Sequence, residues 1–211
     1  MFRMISGASV ADASLIKQEY CIDGQWISAN VSAENIPEVF REFFEYEGDR
    51  LYCLWIEIPS SIDNEIIEKV ATKVATDIEP GIMKSTHRDV YYLDNLDRNT
   101  ARELLGIFKE ILINDGLTCF GFISQRGNEI GKYKYNVMNA YSDAGDADGL
   151  KTVFDRLRIP ERESIKTAWD YIDPKRPGVS EKHEMKDGRN VYDIIEVLKE
   201  NGMYLAEQRE D

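Results

Sequence analysis

Apolar positions along the chain change their period several times, and each change marks an element. Residues 19–22 and 25–28 are short apolar-rich runs on either side of Asp23-Gly24, a dipeptide suited to the positive φ angles of a tight hairpin turn. From 35 to 47, Ile36, Val39, Phe40, Phe43 and Phe44 recur at helical spacing, with Pro37 in the tolerated first turn and Gly48 placed to end the helix. Residues 50–58 form an aromatic and branched run stopped by Pro59, which predicts a strand. Ile66, Ile67, Val70 and Val74 predict a helix over 62–77 capped by Ser61, followed by a break around Pro80-Gly81 and a linker over 78–86.

The second half reads similarly. A strand is expected over 89–93 and a helix over 100–114, the latter opened by a Thr100–Glu103 capping box and closed by Gly116. Residues 117–125 and 131–141 read as two long strands joined by a turn at Arg126-Gly127-Asn128-Glu129. On the second, Tyr133, Tyr135 and Val137 alternate with Lys132, Lys134 and Asn136, a period of two that predicts one packed and one wet face. Short helices are expected over 150–158 and 164–172, a small hairpin over 182–190, a helix over 191–200 capped by Asn190, and a strand over 203–207. Helix, glycine and strand follow one another three times, at Gly48, Gly116 and Gly202, as recurrent turn chemistry and not as a repeat. The order of elements predicts an α+β fold, mostly antiparallel, in one domain of 1–211 with a possible division near residue 80 into 1–79 and 85–211.

Composition narrows the function classes. With 39 acidic against 26 basic residues, the 211-residue chain carries a net charge of −13. Such a field repels nucleic acid and anionic membranes and attracts basic partners. No apolar run approaches the length of a membrane span and the N-terminus lacks a secretory pattern, so a cytoplasmic chain is expected. Cys21, Cys53 and Cys119 are odd in number and widely spaced, which excludes a complete disulfide framework and fits small apolar side chains in a reducing compartment.

Candidate chemistry is sparse. His87-Arg88-Asp89 resembles a kinase catalytic-loop triplet without its downstream asparagine or a glycine-rich loop. Gly127 to Lys132 has one residue too few for a phosphate loop. Aligning Asp146, Asp148 and Gly149 with a calcium loop puts Ala144 at a required ligand position. His87 and His183, the only histidines, stand in no nucleophile or zinc motif, and no cofactor is implied.

Two surfaces remain. Glu34, Glu38, Glu42 and Glu45 follow at steps of three or four, an acidic stripe opposite the phenylalanine face with only Arg41 among them. On the 117–141 hairpin, Lys132, Lys134 and Tyr141 are expected to display a basic and aromatic patch. The leading expectation is therefore a non-catalytic binding protein that captures a basic protein, as an immunity or antitoxin-type inhibitor of a cationic nuclease toxin would. The alternative is a small cytosolic enzyme with a carboxylate-based or cofactor-dependent site. Oligomeric state is left open.

Overall fold

A computed structural model describes residues 2–60, 69–72, 87–143 and 145–210. Its main layer is one antiparallel sheet of eight strands. In chain order these are β2 (Glu19–Asp23), β3 (Trp26–Asn30), β4 (Tyr52–Pro59), β6 (His87–Leu96), β7 (Cys119–Ser124), β8 (Glu129–Lys132), β9 (Val137–Tyr141) and β11 (Tyr204–Glu210). Across the sheet the order is β11-β6-β4-β7-β8-β9-β3-β2. A small antiparallel sheet of β1 (Ala8–Ser9), β10 (Gly178–Glu181) and β5 (Lys69–Thr72) stands beside it in the order β1-β10-β5. The helices are α1 (Ile36–Glu47), α2 (Arg98–Asn114), α3 (Ala147–Leu150), α4 (Thr152–Arg156) and α5 (Val191–Lys199). The expected α+β, mostly antiparallel class is what the chain forms.

The period of two in the strands decides which face is buried. Tyr52, Leu54 and Ile56 of β4, Phe120 and Phe122 of β7, Ile130 of β8 and Met138 of β9 share one face and are all buried. Onto that face α1 lays the phenylalanines that the helical pattern selected. Phe40 stacks on Phe120 at 4.9 Å between ring centroids, and Phe44 meets Phe122 edge-on at 4.9 Å. α2 buries Ala101, Leu105 and Leu112 in the same core, and α5 adds Ile194, Ile195 and Leu198.

Several expectations change in detail. The expected 131–141 strand is two strands. A 3-10 turn over Lys134–Asn136 reverses the chain, with Tyr135 and Asn136 both at positive φ, so β8 pairs with β7 on one side and β9 on the other. The cap of α2 is Asp97, whose carboxylate accepts from the Thr100 amide at 2.8 Å, three residues before the expected Thr100 box. Gly48 and Gly202 adopt the positive φ anticipated for them, whereas Gly116 does not. The helix expected over 62–77 and the linker over 78–86 lie largely outside the described residues, and the described part of that stretch, 69–72, is the strand β5. The stretch 164–172 yields only a 3-10 turn at Ala168–Tyr171, and 182–190 forms a turn closed by Met185 and Arg189 with no strands of its own.

Gly116 is needed for a different reason. A ring of backbone hydrogen bonds joins Gly7 to Asn114, Gly116 to Glu181 and Glu181 back to Gly7, at 2.9, 3.0 and 2.7 Å. A Cβ on Gly116 would stand 1.8 Å from the Gly7 carbonyl oxygen, so only glycine permits the approach. Next to it the buried Asp115 organises the turn from α2 to β7. Its Oδ1 accepts from the amides of Leu117 and Thr118 and from the Thr118 hydroxyl, and its Oδ2 from the His183 amide, each at 2.9 Å.

Candidate functional site

The stripe on α1 is not bare. Glu34 pairs with Arg3, Glu38 with Arg41, Glu42 with Arg156, and Glu45 with both Arg98 and Arg102. Five guanidinium groups thus meet four carboxylates, and the negative potential expected to gather on this helix is neutralised within the fold. The Arg98 partner holds the Glu45 carboxyl below its usual range, and backbone and Ser32 hydrogen bonds with the nearby Arg3 outweigh partial burial to do the same for Glu34. These pairs are largely solvated and each is worth about 0–1 kcal/mol.

The hairpin patch is rearranged too. Lys132 is fully buried on the core face, where its Nζ donates to the carbonyls of Asp115 at 2.7 Å and Thr118 at 2.9 Å. Burial pulls its ammonium down to about 8. Lys134 is half-buried in the turn between β8 and β9. Tyr141 lies elsewhere, on the opposite face of the sheet, 4.7 Å from Trp26 with its hydroxyl donating to Gln25 at 3.3 Å. The three residues expected to share a patch are not brought together.

What the strands do bring together is that opposite face. Cys53, Trp55 and Glu57 of β4 sit beside Val90 and Tyr92 of β6 on one side and Gly121 and Ile123 of β7 on the other. Next come Glu129 and Gly131 of β8, then Tyr141 of β9 and Trp26 of β3, with Tyr133 just beyond β8. Among the described residues no helix packs on this side, since the phenylalanines of α1 and the apolar stripes of α2 and α5 all belong to the other. Trp26 is 49% exposed and Tyr204 of the edge strand 46%.

Trp55 forms the floor. Gly121 and Gly131 face one another in the ladder, and the indole lies across both. A Cβ on Gly131 would come within 2.6 Å of the indole and one on Gly121 within 2.8 Å, so the two missing side chains make the bed in which the ring rests. Tyr133 packs against it at 5.7 Å. Above the ring is a cavity of about 200 Å³ whose walls include Trp26, Tyr92, Glu57, Glu129 and Arg209. A shallower hollow of about 340 Å³ continues past Ile123 and Cys53 toward Asp94.

The charges in the cleft are unequal. Glu57 is held by Arg88, and Arg209 lies 3.5 Å from it. Glu129 makes no ion pair among the described residues. Burial raises its carboxyl above the ordinary range, opposed by the Trp55 indole N–H and, more distantly, by Arg209. That N–H is directed at Glu129 without reaching hydrogen-bond geometry. Tyr133 is pushed up by burial and then by Glu129. Burial, with Asp94 next, lifts the Cys53 thiol to about 12, which disqualifies it as a nucleophile near neutral pH.

The motif fragments acquire structural roles. Asp146 caps a helical turn by accepting from the Gly149 amide at 2.8 Å, His87 opens β6, and His183 Nδ1 lies 3.3 Å from the Ser6 hydroxyl. Among the described residues no group of three His, Cys, Asp or Glu side chains is placed to hold a metal ion, and no helix is long and apolar enough to cross a membrane. Trp55 and Tyr92 are not singled out by the sequence, Glu129 is read only as a turn residue, and Tyr133 only as a packed position of the 131–141 alternation. The available signal was glycine at two interior strand positions, which marks a close approach by another group. Comparison with family models, curated proteins and solved structures finds no match to this chain.

Proposed function

We propose that the protein is a non-catalytic binding module that docks a basic protein on the aromatic face of its large sheet. An immunity or antitoxin-type inhibitor of a cationic toxin is the concrete form of this reading. The observation that carries it is the aromatic row on a sheet face with no α-helix over it among the described residues, with Trp26 exposed, Tyr92, Tyr133 and Tyr141 half-buried, and Trp55 buried beneath them. Tyr and Trp supply large contact area at small entropic cost and dominate the energetic centres of interfaces. The net charge of −13 supplies long-range attraction for a basic partner. The α1 stripe, paired internally, is not the docking surface in this reading.

The test is binding of a basic protein encoded beside this gene, measured at low and high salt. Replacing Trp26 and Tyr141 together by alanine is expected to weaken binding at least about tenfold, as loss of central aromatic anchors does. Glu42→Gln on α1 is expected to leave it unchanged. Binding that ignores salt, or that responds to Glu42 and not to the sheet face, rejects the proposal. The enzyme alternative draws on one observation, the raised carboxyl of Glu129 in a cleft beside Tyr133. A melting temperature raised by a metal or nucleotide, and not by a basic protein, favours that alternative.

A further inference from the structure

Resting on the docking reading, we propose that the cavity above Trp55 is a pocket for a single guanidinium group, an arginine side chain of the docked protein. Three observations converge on a planar organic cation. First, the lining is aromatic: Trp55 rests against its two glycines, Tyr133 packs on it at 5.7 Å, and Tyr92, its neighbour on β6, lines the cavity as well. Aromatic faces attract cations within about 6 Å of the ring centroid, tryptophan most strongly. Second, Glu129 is a carboxylate partly withdrawn from water with no cation of its own among the described residues, whereas Glu57 is held by Arg88. Third, Arg209, which lines the same cavity, divides its guanidinium between Glu207 at 2.7 Å and Glu57 at 3.5 Å and forms no ion pair with Glu129. Guanidinium fits better than ammonium because it is flat, weakly hydrated, stacks on rings and binds a carboxylate through two N–H groups.

The experiment titrates the full chain with N-acetyl-arginine methylamide and follows the Trp55 indole N–H resonance, assigned by its absence in Trp55→Phe. A saturable shift at millimolar probe is expected. The neutral isostere N-acetyl-citrulline methylamide is expected to bind at least about tenfold more weakly, because it keeps the shape and loses the charge. Glu129→Gln should produce the same loss with the arginine probe, while Glu42→Gln should not. The citrulline comparison uses the unaltered protein, so it holds even if a variant fails to fold. Equal binding of the two probes, or a Trp55 resonance that does not move, overturns the pocket. If the pocket fails while Trp26 and Tyr141 still govern capture of a basic protein, the docking face stands without it. If the probe binds but the partner ignores the sheet face, the pocket stands and the docking reading falls.

Discussion

Lys132 offers a quantitative check on the fold, because its charge is buried against carbonyl oxygens and not against a carboxylate. Its ammonium is lowered from 10.5 to about 8, with desolvation the largest cause and the nearby Cys119 and Asp115 opposing it. A lysine that binds its proton less tightly in the folded than in the unfolded chain destabilises the fold wherever it is charged. Linkage then makes stability rise with pH across the window from about 8 to about 10.5, the unfolded chain being the one that holds more protons. The full effect is about 3 kcal/mol, of which roughly 1 kcal/mol appears between pH 7 and pH 9. Lys132→Met removes this term and leaves the rest of the molecule's titration nearly unchanged. Urea unfolding of both proteins at the two pH values measures it as a difference of differences, which cancels the opposite trend from buried tyrosines and thiols. The wild type should gain about 1 kcal/mol more than the variant over that interval. Parallel pH profiles would show that the ammonium is not desolvated and would refute the placement of Lys132 in the core.

Other expectations follow from single contacts. Gly131→Ala should displace the Trp55 indole and destabilise by about 1–3 kcal/mol, read by chemical denaturation together with a change in near-UV circular dichroism; an unchanged aromatic signal would contradict the close seating of the ring against Gly131. Asp115→Ala orphans four donors and should lose about 3 kcal/mol or more in the same assay, far more than any member of the α1 stripe. Glu42→Gln breaks only its solvated pair with Arg156 and should cost about 0–1 kcal/mol in thermal unfolding.

The elements legible in the sequence were those specified locally. The Asp23-Gly24 hairpin, the phenylalanine face of α1 with its closing Gly48, and the Asn190 cap of α5 are each written within a few residues and appear where expected. The 129–141 region was misread because its reversal uses Tyr135 and Asn136 at positive φ, and tyrosine gives no warning of that conformation. Lys132 reads as a solvent-facing residue by composition. It is buried because its strand pairs with β7 so that its side chain points into the core, where the carbonyls of the α2–β7 turn accept from it. The α1 stripe looked unpaired because Arg3, Arg98, Arg102 and Arg156 come from elsewhere in the chain. The candidate site was hidden most completely. Strand periodicity separates two faces, but only the packing of α1, α2 and α5 decides which face is left without a helix.

The ring of hydrogen bonds through Gly7, Gly116 and Glu181 draws on the beginning, the middle and the final sixth of the polypeptide. Because β1 and β10 meet beside it, a single methyl group at Gly116 would wedge the N-terminal strand away from the turn after α2, although the two are more than a hundred residues apart in the chain.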